Sequence, residues 1–138
     1  MQLNLHHIGI LVKDIPKSAA VYVRLGYEIR TEVIHDPVQT AFVQFLKLPA
    51  DRAYLELISP DGPAGRLNNA LVKGGGLNHL CYSTEDIQAG CEWLRDTGFF
   101  LIAEPVPAVA FDGRRVAWFR GPDKLSVELV ESGGEGSF

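Results

Sequence analysis

The sequence contains an internal repeat with a constant offset of 72 residues. The segment HIGILVKDI, which begins at His7, aligns with HLCYSTEDI, which begins at His79. Continued without a gap, the same offset aligns Glu56 in AYLELISP with Glu128 in LSVELVES. Self-similarity at a fixed spacing indicates a duplicated structural unit. The chain is therefore restricted to folds built from two copies of one unit, and the repeat singles out two histidines and two glutamates.

Each half of the sequence predicts a strand, a helix and three more strands. In the first half the strand at 4–12 ends at Asp14, which can cap the helix PKSAAVYVRLG, and Gly26 ends that helix. Three apolar runs follow, YEIRTEVIH, VQTAFVQFLKL and AYLELIS. In the second half Asp86 and Gly98 bound the helix, and the strands are LNHLCYST, FFLIAEP, RRVAWFR and LSVELVE.

The predicted fold class is α+β, with two βαβββ repeats that form a curled, half-open, barrel-like sheet around a metal cleft. At 138 residues, with 46% hydrophobic and 22% charged residues, the chain suits one globular domain. We divide it into repeat one at 3–60, a linker with a short helix and a glycine hinge at 61–76, repeat two at 77–131 and a loose tail at 132–138.

Side chains alternate between the two faces of a strand. The repeated residues are flanked by apolar side chains that suit the helix-covered face: Ile8 and Ile10, Leu55 and Leu57, and Val127 and Leu129. We therefore expect the histidines and glutamates to point to the concave face and to meet near a pseudo-twofold axis. Burying four such groups is costly unless a divalent cation binds them. The predicted metal ligands are His7, Glu56, His79 and Glu128, with two coordination positions left open.

Other polar residues have simpler interpretations. His6 and His35 have no partners in the repeat and are predicted to be surface or rim residues. Cys81 falls on a strand and Cys91 on a helix, which favours two reduced thiols over a disulfide. Glu131 falls on the face opposite Glu128 and is expected to be exposed.

The net charge of −4 and the pI near 5.5 give no reason to expect nucleic-acid binding. No apolar run approaches the ~20 residues that a membrane span needs. The start of the chain lacks the basic and apolar regions of a secretory signal, so a cytoplasmic location is expected.

The duplication, with HHIGILVKDI, YLELISP, GLNHLCYSTEDI and LSVELVE, resembles the vicinal oxygen chelate superfamily of glyoxalases, bleomycin resistance proteins and dioxygenases. It looks most like the branch of methylmalonyl-CoA epimerase and lactoylglutathione lyase, over residues 3–131. The resemblance implies a Co, Ni, Zn, Mn or Mg ion bound by the four repeated residues. It also implies a small-molecule substrate such as an acyl-CoA or a thiol conjugate, and a homodimer. The second carboxylate base of some epimerases would fall near Gln44.

A metal with two open positions can chelate two substrate oxygens and stabilise an enolate. The expected activity is therefore a metal-dependent isomerase or epimerase that removes a proton α to a carbonyl or thioester. Glu128 is the first candidate for the base, and Glu56 can return the proton on the opposite face.

Three alternatives stay open within the same fold. A lactoylglutathione lyase would use the same kind of metal site. An iron-dependent ring-cleaving dioxygenase would use two histidines and one carboxylate, so a fourth ligand argues against it. A drug-binding resistance protein would need no metal and would line its cleft with aromatic residues: Tyr54, Trp118, Phe42 and Phe45.

Overall fold

The computed structural model describes residues 2–134 and Phe138, and it divides into two compact units. The first unit contains residues 7–78, and the second contains residues 1–6 and 79–138. Residues 135–137, part of the predicted tail, lie outside the described residues.

The elements are β1 (Asn4–Leu11), α1 (Ile15–Leu25), β2 (Glu28–Ile29), β3 (Ile34–Asp36), β4 (Ala41–Lys47), β5 (Tyr54–Pro60), α2 (Arg66–Val72), β6 (Gly76–Thr84), α3 (Ile87–Asp96), β7 (Phe100–Pro107), β8 (Arg115–Arg120) and β9 (Ser126–Glu131). The α+β class and the two βαβββ repeats are confirmed.

In the first unit the strands lie in the order β2-β4-β5-β1, and β3 also pairs with β4. The Asp14 carboxylate accepts a hydrogen bond from the Lys17 amide at 3.0 Å and so starts α1, as predicted. The helix ends at Gly26, whose φ of 120° few other residues adopt. One face of α1 packs on the sheet, and the core there contains Ile15, Ala19, Leu46, Leu55 and Leu57.

The second unit repeats this arrangement with the order β6-β9-β8-β7. Asp86 caps α3 by accepting from the Ala89 amide at 3.0 Å. A Cβ atom at Gly90 would lie 2.9 Å from a Leu129 methyl carbon, so the helix backbone sits close to the sheet. The core under α3 contains Ile87, Cys91, Leu94, Ala117, Phe119, Val127 and Leu129. Since the apolar neighbours of Glu56 and Glu128 pack under the helices, both glutamates lie on the other sheet face, as predicted.

The run YEIRTEVIH is not one continuous strand, and that prediction is wrong. Ile29 lies opposite Leu46 and Ile34 lies opposite Val43, so the outer strand has two more residues than β4 over this stretch. The extra residues form a bulge. The Thr31 hydroxyl oxygen accepts from the Phe45 amide at 3.1 Å, which replaces a backbone acceptor in the ladder.

The equivalent strand of the second unit, β7, is also irregular. Leu101 lies opposite Phe119 and Val106 lies opposite Val116, which again leaves two extra residues on the outer strand. The register shifts occur on either side of Ala103. Both repeats therefore bend their outer strand at the same position.

The first residues of β1 belong with the second unit. Leu3 packs against the core under α3, and the His6 ring makes edge contacts with Phe111 and Phe138 at 5.3 and 5.2 Å between centroids. The predicted linker does contain a short helix, α2, followed by Gly74 and Gly75 with positive φ. In the part of the chain that the structure describes, no helix has both the length and the apolar character required to cross a membrane.

Candidate functional site

The first repeat contains a buried histidine–glutamate pair on neighbouring parallel strands. His7 is on β1 and Glu56 is on β5, where Glu56 lies opposite Gly9. His7 Nε2 is 3.3 Å from Glu56 Oε1, and the two residues are only 0% and 7% exposed. The Phe45 ring packs edge-on against the imidazole, with 5.1 Å between ring centroids and an interplanar angle of 80°.

The second repeat contains the same pair. His79 on β6 and Glu128 on β9 are 3.4 Å apart between Nε2 and Oε1, and they are 2% and 3% exposed. Trp118 packs edge-on against His79 at 4.8 Å and 74°. Within each repeat, the structure thus brings together the two residues that the sequence predicts as metal ligands.

The chemistry and spacing of these pairs fit a divalent metal ion. A buried carboxylate is costly unless a cation or several donors satisfy it. Imidazole nitrogen and carboxylate oxygen are ligands that divalent ions accept at about 2.0–2.2 Å, so two ligands of one ion at angles of 90–110° lie about 3.0–3.4 Å apart. The separations of 3.3 and 3.4 Å match this range, and they are longer than a charge-assisted hydrogen bond of about 2.7–2.9 Å.

The aromatic partners of the histidines were not recognised as an equivalent pair from the sequence. Phe45 lies opposite Glu56 and Trp118 lies opposite Glu128 in the antiparallel ladders. Their numbers differ by 73, whereas the histidines and glutamates differ by 72. The ungapped alignment therefore paired Phe45 with Ala117 and missed the match.

Of the four aromatic residues proposed for a drug pocket, Phe42 lies on the face of β4 opposite to that of Phe45. Phe45 contacts both His7 and Tyr54, whose ring lies 6.3 Å from that of Phe45. Phe42 is exposed and packs instead against His35, at 5.0 Å. Trp118 belongs to the second repeat, so each repeat has its own aromatic contact with a histidine.

Gln44 lies on the same face of β4 as Leu46, which packs in the core under α1. Its amide nitrogen donates to the Thr31 carbonyl at 3.0 Å, and its side chain borders a surface groove along α1. Successive residues of a strand point to opposite faces, so Phe45, and not Gln44, lies beside His7.

Three of the other singled-out residues, His35, Cys91 and Glu131, belong to neither pair. His35 is half exposed and bonds to Asp61, with 2.8 Å between Nε2 and Oδ2. Cys81 and Cys91 are both buried and are not joined by a disulfide, and burial raises the pKa of the Cys91 thiol. Glu131 forms an ion pair with Arg115 at 2.8 Å, and this hydrogen bond lowers the pKa of the Glu131 carboxyl.

Residues 6–119 match the family described as the Glyoxalase/Bleomycin resistance protein/Dioxygenase superfamily. The chain belongs to this superfamily, which confirms the resemblance seen in the sequence.

The chain is similar to two curated proteins and one solved structure within this superfamily. The chain is 31% identical over 131 residues to the ethylmalonyl-CoA/methylmalonyl-CoA epimerase of Cereibacter sphaeroides, covering 93% of this chain and 95% of the relative. A solved structure of methylmalonyl-CoA epimerase in complex with methylmalonyl-CoA and NH4+ superposes with a TM-score of 0.81 at 25% identity, over the full length of both chains. A probable lactoylglutathione lyase of Synechocystis is 27% identical, covering 91% of this chain and 93% of the relative.

Proposed function

We propose that the chain is a divalent-metal-dependent epimerase that moves the proton α to the thioester carbonyl of a methylmalonyl-CoA-like substrate. The observation that carries this proposal is the buried histidine–glutamate pair, found in each repeat at equivalent positions. The similarity to the Cereibacter epimerase over nearly the whole of both chains supports the substrate class.

In this proposal His7, Glu56, His79 and Glu128 bind one ion: Co, Ni, Zn, Mn or Mg. Two nitrogen and two oxygen ligands suit any of these metals. When bound, the ion supplies Lewis-acid stabilisation of the negative charge that develops on the substrate oxygens. Phe45 and Trp118 limit the rotation of the two imidazoles, because each packs against one of them in a T-shaped arrangement.

The carboxylates carry the proton transfer. Glu128 would leave the metal to accept the α-proton of the thioester. Glu56, having first taken a proton from water, would donate it to the opposite face of the same carbon, and proton exchange with water then restores both carboxylates. Inversion requires an acid and a base on opposite faces, and the two repeats supply one glutamate each. Both side chains are less than 10% exposed, so little bulk water reaches the two carboxylates.

The proposal is tested by following deuterium from D2O into the α-position of methylmalonyl-CoA. Protein loaded with one of the five metals should catalyse the exchange, and treatment with a chelator should abolish it. Readdition of the metal should restore it. Exchange that survives verified removal of metal would contradict the metal dependence, and no exchange with any metal would contradict the epimerase assignment.

A second candidate is supported by the likeness to the Synechocystis protein. A lactoylglutathione lyase would isomerise the hemithioacetal of methylglyoxal and glutathione, a reaction that also moves a proton α to a carbonyl. The same metal-loaded preparation, offered this substrate and methylmalonyl-CoA in parallel, distinguishes the two. The homodimer and the cytoplasmic location stay predictions, and sedimentation of the purified chain tests the first.

A further inference from the structure

The two repeats differ beside their histidine–glutamate pairs. Arg30 and Tyr54 belong to the first repeat, and the 72-residue offset pairs them with Ile102 and Ser126 in the second. A duplicated site is nearly symmetric, whereas an acyl thioester is not. Positions at which the repeats differ are therefore the ones that can orient a substrate.

Tyr54 lies on the same face of β5 as Glu56, two residues away, which corresponds to about 7 Å along the strand. Its ring packs edge-on against Phe45, which in turn packs edge-on against His7. The Arg30 guanidinium carbon is 6.0 Å from the centroid of the Tyr54 ring. A positive charge is thus connected to the buried pair through two aromatic rings in direct contact.

Arg30 is held in place by its backbone and its ring contact. It lies in the bulge between β2 and β3, and its amide donates to the Phe45 carbonyl at 2.9 Å. Its side chain is exposed, and no carboxylate among the described residues lies within 4.0 Å of its guanidinium. An arginine beside an aromatic ring, with planar donors directed to solvent, is suited to bind a carboxylate or a phosphate.

We propose that Arg30, supported by Tyr54, binds an anionic group of the substrate and so fixes its orientation. The group is either the free carboxylate of the acyl part or a phosphate of its carrier. This inference rests on one part of the proposed function, namely that the substrate is an anionic acyl thioester. Arg30 is here a specificity-determining residue that does not take part in proton transfer.

The first test is kinetic, with metal-loaded protein and methylmalonyl-CoA. Arg30→Ile introduces the residue that the second repeat carries, and it should raise KM about tenfold or more with kcat changed less than twofold. Arg30→Lys should have an intermediate effect, because it keeps the charge and loses the planar fork. Arg95→Gln, on the exposed face of α3, is the matched control and should change neither constant. An unchanged KM in Arg30→Ile, or a fall in kcat alone, would overturn the proposal.

The second test measures binding without turnover, by calorimetry with coenzyme A and with malonate as separate probes. Weaker binding of coenzyme A to Arg30→Ile identifies the phosphate, and weaker binding of malonate identifies the carboxylate. If neither probe binds the unaltered protein, or the variant weakens neither, the proposal is wrong. If the unaltered protein catalyses no exchange but Arg30→Ile weakens a probe, the epimerase assignment fails and the anion site stands.

Discussion

Phe45 and Trp118 make the same edge-on contact with a buried histidine, each within its own repeat. The contact is part of the duplicated unit, although one residue is a phenylalanine and the other a tryptophan. The two are 73 residues apart and not 72. Because the ring fills the space on one side of each imidazole, the nitrogen that approaches the glutamate keeps a fixed direction.

The predicted ligands can be tested by their effect on metal content. His7→Ala and His79→Ala should each abolish stoichiometric binding and remove the rise in Tm that saturating metal gives the unaltered protein, since a bound ligand stabilises the folded state. At a metal concentration of 1,000 Kd that stabilisation is about 4 kcal/mol. Elemental analysis and thermal melts with and without chelator measure both effects.

The control for these variants is His35→Ala, at an exposed histidine bonded to Asp61. It should keep one metal ion per chain. Retention of metal by His7→Ala together with its loss from His35→Ala would mean that the repeat has identified the wrong histidine.

Glu128→Gln tests the assignment of the base. The amide keeps an oxygen for a metal and nearly the same volume, but it cannot accept a proton at neutral pH. Exchange of the α-hydrogen with D2O should fall by ~10²–10⁴-fold, with part of the metal binding retained. Glu56→Gln should have the smaller effect on exchange. The reverse order of severity would make Glu56 the principal base, and normal exchange in both metal-bound variants would exclude both carboxylates.

The rate should not depend on oxygen. Proton transfer α to a carbonyl neither consumes nor produces electrons, so turnover under strict anaerobiosis should match turnover in air. An oxygen electrode run in parallel should show no consumption during the reaction. Uptake of one oxygen per product would instead support a dioxygenase.

The two cysteines should be inert in the folded protein. Cys81 and Cys91 are 0% and 2% exposed, and burial raises the pKa of the Cys91 thiol, which lowers its thiolate fraction. Titration with an aromatic disulfide reagent should give little reaction under native conditions and two thiols per chain in denaturant. Zero thiols in denaturant without reductant would indicate a disulfide.

The Arg115–Glu131 ion pair predicts a pH-dependent contribution to stability. The pKa of Glu131 is lower in the folded state, so the contribution is present above the unfolded value of about 4.3 and is lost as the pH falls through the folded value. Glu131→Gln should therefore lower Tm slightly at pH 7, and the difference should disappear as the pH falls below the folded-state pKa.

The local features of the fold could be predicted because short stretches of sequence determine them. Asp14 and Asp86 cap their helices by bonds to amides three residues ahead, and strand alternation placed Glu56 and Glu128 opposite the helix-covered face. The members of each histidine–glutamate pair were also identified, because the repeat aligns them without a gap.

The bulges and the aromatic contacts could not be predicted in the same way. The Thr31 hydroxyl takes the place of a backbone acceptor for Phe45, and nothing in the run YEIRTEVIH distinguishes this from a regular strand. Compared with the first repeat, the second has one more residue before β8 and one fewer residue after it. Trp118 is therefore displaced by one residue from the 72-residue offset, whereas Glu128 is not. Arg30, which lies in the bulge between β2 and β3, also contacts the Tyr54 ring on β5, and the sequence gives no sign of this contact.

The paired bulges also record the order in which this sequence changed. Two extra residues occur on the outer strand of both repeats, between Ile29 and Ile34 and between Leu101 and Val106. A feature present in both copies is most simply explained if the ancestral half already carried it. The differences between the halves then arose after the duplication. They include the one-residue displacement of Trp118. They also include the change that gave one half an arginine and a tyrosine and the other half an isoleucine and a serine. The bent strand is thus older than the duplication, and the differences between the halves are younger than it.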